Sequence, residues 1–154
     1  MKVKIYLVLI IILVVAIVVG FYCAYLCRID TIYATRYNEV FGSYDINKVD
    51  KYLNSETQII YKGKTKTYKE LRENVQSAFR EREYEMPQGS SYGHGNNKFV
   101  KGIQKIGIRS YIKSNRHYSD GLQMEIERVG IFSVKVKSLQ SDDEFFGYLF
   151  FGIS

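Results

Sequence analysis

The most constraining feature of the sequence is a long apolar run close to its beginning. Residues Ile5 to Cys27 include no charged side chain, and basic residues bracket the run on both sides. As a helix these 23 residues span about 34 Å, enough to cross a hydrocarbon core of about 30 Å. The run therefore predicts a single transmembrane helix, and residues 1–27 form a short tail and an anchor.

Other processing signals fit this run less well. A cleavable signal peptide has a shorter apolar region, roughly 7–15 residues, followed by small residues at the cleavage site. Here the run ends in bulky side chains that include Tyr22 and Tyr25. Lipid attachment at Cys23 needs a small residue where Tyr22 stands. A pilin-type site at Gly20-Phe21 needs its apolar stretch after the site instead of before it. An uncleaved anchor is the prediction.

The flanking charges predict the orientation of the anchor. Lys2 and Lys4 lie beside the free amino group and favour an amino terminus in the cytoplasm. Arg28 and Arg36 on the other side weaken this bias without reversing it. The sequence thus predicts a single-pass protein of the cell membrane, with residues 28–154 forming one extracytoplasmic domain.

Cysteine usage and charge limit what this domain can be. It contains no cysteine, so its stability has to come from a core, which about 127 residues can supply. Cys23 and Cys27 share one face of the anchor helix, where they pack or link two copies by a disulfide. Without Lys2 and Lys4, 20 basic residues oppose 16 acidic ones, a net charge of +4. That charge suits an anionic envelope surface or plain solvation and does not indicate a nucleic-acid partner.

Helical periodicity dominates the first half of the domain. Apolar residues recur at spacings of three and four between residues 29 and 41, which predicts a helix. Asp45 has the side chain of an N-cap for a short second helix. Lys62-Gly63-Lys64 separates two short β runs and predicts a hairpin turn. Thr67 and Glu70 have the spacing of a capping box, so a third helix begins there.

The second half changes to the period of β-strands. Residues 86–97 are a loop by composition, and a shift of phase near Ile103 indicates a bulge. The final run, Phe145 to Ile153, is apolar on both faces and is typical of a strand buried on both sides. Helices followed by strands predict an α+β domain of three helices on an antiparallel sheet. Its predicted core comprises Leu71, Val75, Phe79, Ile108, Met124, Ile126, Val134, Val136 and Leu149.

Gly63-Lys64-Thr65 matches the end of a phosphate-binding loop, but its context does not. The first glycine of such a loop belongs five positions earlier, where Gln58 stands inside a predicted strand. A helix also has to begin directly after the threonine, whereas the strand pattern continues here. The stretch is therefore predicted to be a turn, and no nucleotide ligand is expected.

Five residues in the second half are candidates for ligand or partner binding. Glycines around His94 can expose amide groups to an anion, although most such loops are simple connectors. Tyrosines in this region offer a flat apolar body and a polar tip to a partner. No metal-ligand spacing, nucleophile elbow or domain cysteine is present in the sequence, so no catalytic residue, metal or cofactor is predicted. The candidates are Tyr92, His94, Tyr111, His117 and Tyr118.

The order of predicted elements resembles the nuclear transport factor 2-like superfamily, a cystatin-like, cone-shaped fold that includes the SnoaL-like proteins. The most similar segment, residues 42–75, reads GSYDINKVDKYLNSETQIIYKGKTKTYKELRENV. Its Asp45, Tyr61-x-Gly63 and Tyr68-x-x-Leu71 match the usual succession of helix, strand, turn and helix. The resemblance implies a curved sheet wrapped around the helices over residues 30–154.

The same resemblance implies two classes of function. Enzymes of the superfamily place an acidic or histidine base and a tyrosine or aspartate oxyanion donor inside the cone. Glu125 and Glu127 fall on the polar face by alternation and do not match that pair. An anchor before this fold is similar to bitopic assembly subunits of type IV secretion and conjugation machines, and to the amino-terminal domains of some penicillin-binding proteins.

Two functions are consistent with these patterns. The first is a membrane-anchored, non-catalytic module of a bacterial-type cell envelope that binds a protein partner or self-associates. The second is a membrane-tethered small-ligand-binding protein or enzyme that uses the cone pocket. A wide mouth lined by titratable groups favours the second function, and a closed or wholly apolar cone with an exposed aromatic patch favours the first.

Overall fold

We describe a computed structural model of the protein, which covers residues 2–83, 86, 92–95, 102–109, 122–131 and 133–153. Its helices are α1 (Lys2–Gly42), α2 (Ile46–Tyr52), α3 (Tyr68–Glu81) and α4 (Glu144–Phe146), and α4 continues into a π-helical segment (Gly147–Phe151). Its strands are β1 (Gln58–Tyr61), β2 (Lys64–Thr67), β3 (Tyr92–Gly95), β4 (Ile103–Arg109), β5 (Leu122–Arg128) and β6 (Val134–Gln140). The α+β prediction is confirmed.

The predicted anchor and the first helix of the domain form one continuous helix. α1 has 41 residues and is about 60 Å long at the usual rise per residue. Side chains from Ile5 to Phe21 are exposed, whereas Ile29, Ala34 and Phe41 are completely buried in the domain. Within the described residues, α1 is the one helix whose length and composition suit a membrane span. The domain is therefore attached to the apolar segment without a flexible linker between them.

Contacts with the domain begin before the apolar run ends. Tyr22, Tyr25 and Leu26 are half-buried, and the Arg128 guanidinium at the end of β5 lies 5.5 Å from the centre of the Tyr22 ring. A cation over an aromatic face is a favourable contact. The freely exposed apolar part is therefore Ile5–Phe21, about 25 Å of helix, which is near the lower limit for a transmembrane span.

The predicted helix starts are confirmed by their caps. Asp45 accepts a hydrogen bond from the backbone amide of Asn47 at 2.9 Å and begins α2. The backbone amide of Thr67 donates to the Glu70 carboxylate at 2.8 Å, and the Thr67 hydroxyl accepts from the backbone in return. Both caps satisfy amide groups that have no partner inside a first helical turn.

The turn prediction for the opening of β2 is also confirmed. Lys62 and Gly63 form a two-residue turn with φ angles of 45° and 77°. Positive φ at both positions is typical of a type I′ hairpin, whose twist matches that of the flanking strands. Lys64 and Thr65 then belong to β2, so no helix begins at the place where a phosphate-binding loop needs one.

The six strands form one curved sheet in the order β2-β1-β6-β5-β4-β3. Each neighbouring pair is antiparallel except β1 and β6, which run parallel with Gln58 opposite Ser138. The sheet is therefore mixed, where the sequence predicted antiparallel pairing alone. The long connection between β1 and β6 includes α3, so the chain can return to β1 in the same direction.

The phase shift near Ile103 has a different cause from the predicted bulge. β4 pairs with β5 in continuous register from Ile103 onward, whereas the irregularity lies between Glu125 and Ile126 where β5 meets β6. The alternation of polar and apolar residues is interrupted because the polar residue Gln104 occupies a core-facing position. It is only 1% exposed and lies on the same face as Ile106. Neither its amide nitrogen nor its amide oxygen has a hydrogen-bond partner within the described part of the chain.

Replacing Gln104 with methionine is expected to stabilise the domain. An unpaired buried amide costs about 1–3 kcal/mol, and methionine has a similar shape without the polar atoms. Urea unfolding of Gln104→Met followed by tyrosine circular dichroism measures the gain, which we expect to be about 1 kcal/mol. Gln123→Met on the exposed face of β5 is the matched control and should change little. A loss of stability in Gln104→Met would show that the amide is satisfied.

The final apolar run is helical, so its prediction as a strand is wrong. Asp143 accepts a hydrogen bond from the Phe145 amide at 2.8 Å and caps α4. An apolar run without periodicity does not distinguish a buried strand from a buried helix. The Tyr61 ring packs closely on the backbone of Gly147, because a Cβ at this position would lie 2.5 Å from Cζ of Tyr61. The segment packs against α3 and covers one end of the core.

The core prediction is confirmed at eight of nine positions. Leu71, Val75, Phe79, Ile108, Met124, Ile126, Val136 and Leu149 are buried, and Val134 is half-buried at the start of β6. Aromatic side chains from α1 and the carboxyl-terminal segment fill the rest, including Tyr37, Phe41 and Phe150. Within the described residues, the space between helices and sheet is therefore occupied by packed side chains.

Candidate functional site

The structure leaves the five predicted site residues untested. Tyr92 and His94 lie on β3, where the backbone is described and the side chains are not. Tyr111, His117 and Tyr118 lie outside the described residues. Their role in ligand or partner binding remains a prediction.

The loop predicted around His94 contains a strand. Residues 92–95 pair with β4, with His94 opposite Gly107. A Cβ on Gly93 would lie 2.5 Å from the backbone oxygen of Asp30, and a Cβ on Gly95 would lie 2.6 Å from the oxygen of Lys105. The glycines therefore permit the close approach of β3 to α1 and β4, and the prediction of an irregular loop over these four residues is wrong.

A cleft lies between α1, α2 and the start of β6. Its volume is about 390 Å³. Sequence analysis missed this cleft because its charged residues lie on helix faces that normally point to solvent. The lining residues are Tyr33, Arg36, Glu39, Val40, Lys48, Lys51, Tyr52 and Val134.

Two tyrosines form the floor of the cleft. The Tyr33 hydroxyl donates to the backbone oxygen of Val134 at 3.0 Å, and the Tyr52 hydroxyl donates to the backbone oxygen of Tyr33 at 3.0 Å. The two ring centres are 6.4 Å apart. Burial raises the pKa of Tyr33 and holds the pKa of Tyr52 well above its ordinary value, so both stay protonated. These hydroxyls connect the helices to the sheet, and their protons are already used in that connection.

The rim of the cleft is basic. α1 contributes Arg36 and Glu39, and α2 contributes Lys48 and Lys51. Each pair is three residues apart, which places both side chains on the same face of their helix. Three cations and one carboxylate give this rim a net charge of about +2 at neutral pH. The i, i+3 spacing shows which side chains share a helix face, but it does not show that the two faces meet.

An ion pair holds α2 in its position beside the cleft. Arg72 on α3 makes a bidentate contact with Asp50, with its Nη2 2.7 Å from Oδ2. The Tyr68 hydroxyl donates to the same carboxylate at 2.7 Å. The hydrogen bonds from Arg72 lower the pKa of Asp50. Asp50 lies between Lys48 and Lys51, so this network fixes the helix turn that carries both lysines.

A groove along the exposed face of α1 lies beside the cleft. This groove has a volume of about 550 Å³, and Arg36 and Glu39 line both spaces. The remainder is lined by Arg28, Thr31, Ile32 and Thr35. Together the two spaces extend along α1 from Arg28 to Glu39 and reach α2, and we call them the basic track.

The cleft combines a basic rim with a floor of two tyrosine rings. Its tyrosine hydroxyls already donate to backbone oxygens, and its lysines and arginine carry positive charge. Within the described ranges, no group of three histidine, cysteine or acidic residues is arranged to hold a metal ion. The arrangement can attract a carboxylate or phosphate group and bury an apolar or aromatic portion against the tyrosines.

Comparison with known proteins yields structural neighbours only. No family model matches the chain, and no curated protein matches it. A DUF4783 family protein from Bacteroides ovatus has 9% identity and a TM-score of 0.46, with 69% of this chain and 90% of that chain covered. The protein named "Rd1NTF2_04 with long sheet" has 10% identity and a TM-score of 0.48, covering 73% and 98%.

An NTF-2 like protein of unknown function from Burkholderia xenovorans is a further neighbour. It has 13% identity and a TM-score of 0.43, with 80% of this chain and 85% of that chain covered. Solved structures similar to this chain therefore include a protein described as NTF-2 like. With TM-scores of 0.43 to 0.48, these similarities assign neither a family nor a function to the chain.

Proposed function

We propose that the chain is a membrane-anchored, non-catalytic assembly module of a bacterial-type cell envelope whose extracytoplasmic domain binds a protein partner. The observation that carries this proposal is the continuity of α1. Its first part exposes apolar side chains from Ile5 to Phe21, and its second part is buried in the domain core. A rigid link of this kind holds a binding surface at a defined height above a membrane.

The basic track along α1 and α2 supports an acidic peptide segment as the bound element of the partner. Arg28, Arg36, Lys48 and Lys51 contribute four positive charges against the single carboxylate of Glu39. Complementary charge speeds association and selects against basic partners.

The order of elements supports a nuclear transport factor 2-like assignment for the domain. α1, α2, the β1-β2 hairpin and α3 precede most of the sheet in the succession that the superfamily uses. With the apolar segment before it, this arrangement is similar to bitopic assembly subunits of secretion and conjugation machines. The proposed orientation places the lysine-bearing amino terminus in the cytoplasm.

A small anionic ligand is the second candidate, and the volume of the cleft favours it. About 390 Å³ falls within the usual range for small-molecule sites, roughly 300–1,000 Å³. The ligand would occupy the cleft and not the interior of the cone, because Ile106, Met124 and Ile126 fill the concave face of the sheet. Calorimetry with inorganic phosphate and with an acidic peptide distinguishes the two candidates.

Membrane anchoring is tested first, with the full chain expressed in bacterial cells. We expect the protein to stay in the membrane fraction after carbonate washing, because α1 exposes an apolar face over its whole circumference. Protease added to spheroplasts should digest the domain and leave the anchor. Recovery in the soluble fraction, or a domain protected from external protease, would contradict the proposed topology.

Partner binding is tested by reversing charge on the rim. Lys48→Glu with Lys51→Glu should abolish the cross-linked adduct formed by a photoreactive residue placed at Glu39, because the rim then repels an acidic segment. Lys64→Glu with Lys66→Glu is the matched control, since these lysines are exposed on β2 away from the cleft. Equal adduct yields in both double variants would reject the cleft as the partner site.

A further inference from the structure

The turn between β5 and β6 exposes two large apolar side chains. Val129 is 56% exposed and Ile131 is 69% exposed. Outside the apolar run of α1, the other exposed large hydrophobic side chains in the described residues are Ile32 and Ile153, which are far apart in the sequence. Single exposed hydrophobic residues are common, but two within three residues on one tight turn indicate a contact surface.

The end of β5 lies beside the end of the apolar run of α1. Near the start of β5, the Met124 sulfur lies 3.5 Å from the Tyr52 hydroxyl, which donates to the backbone oxygen of Tyr33. At its end, the Arg128 guanidinium lies over the ring of Tyr22. Tyr22 precedes Tyr33 by 11 residues, about 16 Å along α1 in the direction of the apolar run. The turn that follows Arg128 therefore lies at the membrane end of the domain.

Hydrogen bonds fix the shape of this turn. The backbone amides of Val129 and Gly130 both donate to the Ser133 oxygen, at 2.9 and 3.2 Å. Arg128 Nε donates to the Gly130 oxygen at 3.2 Å. Val129 and Gly130 are thus held by hydrogen bonds at their backbone, so placing the Val129 side chain in a contact requires little further loss of backbone entropy.

The side chains around the turn have the chemistry of a membrane interface. Tyr22 is an aromatic residue at the end of the apolar run, where tyrosines are enriched at the level of the lipid headgroups. Arg128 and the exposed Arg28 add positive charge at the same end of the domain. Apolar tips flanked by arginine and tyrosine match the boundary between acyl chains and anionic headgroups.

We propose that the β5-β6 turn docks onto the bilayer that α1 crosses, with Val129 and Ile131 in the headgroup and acyl boundary. This inference rests on the proposed membrane anchoring. The bilayer is the occupant because the turn is adjacent to the end of the exposed apolar run, where a lipid surface begins. A second contact with the bilayer, beside α1, fixes the tilt of the domain and the direction in which the basic cleft faces.

The test uses the full chain in vesicles of phosphatidylcholine and phosphatidylglycerol. Cys23 and Cys27 are replaced with serine, and a single fluorescent label is attached at Ser133→Cys, an exposed position on the turn. We expect spin-labelled lipid to quench this label several-fold more strongly than a label at Lys64→Cys on the β1-β2 hairpin. The substitutions Val129→Ser and Ile131→Ser together should reverse that preference and make the Ser133 label accessible to aqueous iodide.

The outcomes separate this inference from the proposed function. A chain that fails to float with the vesicles contradicts membrane anchoring itself. A chain that floats, with a Ser133 label as accessible to iodide as the Lys64 label, overturns the docking turn and leaves the anchor intact. Quenching that depends on the ratio of protein to lipid, and not on Val129 and Ile131, overturns it in favour of contact between two copies.

Discussion

Leu71→Asp is expected to unfold the domain. Leu71 lies on α3 and is buried in the hydrophobic core. An unpaired charge at such a position costs several kcal/mol, against a total stability of about 5–15 kcal/mol for a domain of this size. In detergent micelles the full-length variant should lose its near-ultraviolet tyrosine signal, while the apolar part of α1 keeps its helical signal.

Ser77→Asp on the same helix is the matched control. Ser77 is exposed, so the same new charge stays in water and should change the unfolding free energy by no more than about 0.5 kcal/mol. If Leu71→Asp retained the wild-type tyrosine signal and urea midpoint, the buried face of α3 would be wrongly assigned. The control then shows whether α3 tolerates aspartate at any position.

The buried face of α3 was predictable because its sequence has one dominant period. Polar and apolar residues alternate at helical spacing, so Leu71, Val75 and Phe79 fall on one side without any knowledge of the sheet. The caps at Asp45 and Thr67 were predictable for a related reason: each acts on its own neighbours. These features depend on interactions between residues that are close in the sequence, so the sequence alone is sufficient to predict them.

The features that were not predictable depend on tertiary contacts. Residues 145–153 have no period, and the pairing of Gly147 with Tyr61 that accommodates a helix there is a long-range contact. Gln104 interrupts the alternation of polar and apolar residues in β4. From the sequence alone, this interruption indicates a bulge, whereas the structure has a buried amide there. The register shift in β5, between Glu125 and Ile126, arises from its pairing with β6, and the sequence does not show which strand is its neighbour.

The cleft was missed for a physical reason as well. Arg36, Lys48 and Lys51 have the spacing of residues on solvated helix faces, and most such charges are simply solvated. Their convergence depends on the packing of α2 beside α1, which the Asp50–Arg72 contact with α3 stabilises. The sequence-based candidates were chosen instead by residue type, from glycine, histidine and tyrosine in one stretch. Residue type alone does not show which side chains share a concave surface.

Gly93→Ala is expected to destabilise the domain by about 1–3 kcal/mol, the usual cost of inserting atoms into a packed contact. The added Cβ would lie 2.5 Å from the Asp30 oxygen and 2.9 Å from the Thr31 nitrogen. These are backbone atoms in the middle of α1 and cannot rotate away as the end of a flexible side chain can. β3 must therefore move outward from α1 or separate from β4. Urea unfolding gives the free energy, and hydrogen exchange of the Gly95 and Ile106 amides reports the loss of pairing.

Gly130→Ala is the control. It separates the effect of the steric contact at Gly93 from the general effect of replacing a glycine. The nearest atom to its added Cβ is the Ser133 Cβ at 3.5 Å, an ordinary van der Waals distance, so the substitution should change little. Alanine reduces the entropy of the unfolded chain equally at both positions, and the difference between the variants measures the packing of β3 on α1. Equal stability and unchanged exchange in both variants would mean that β3 does not pack closely on α1. Residues 92–95 would then be the mobile glycine loop that their composition indicates, and the amide groups around His94 would again be candidates for binding an anion.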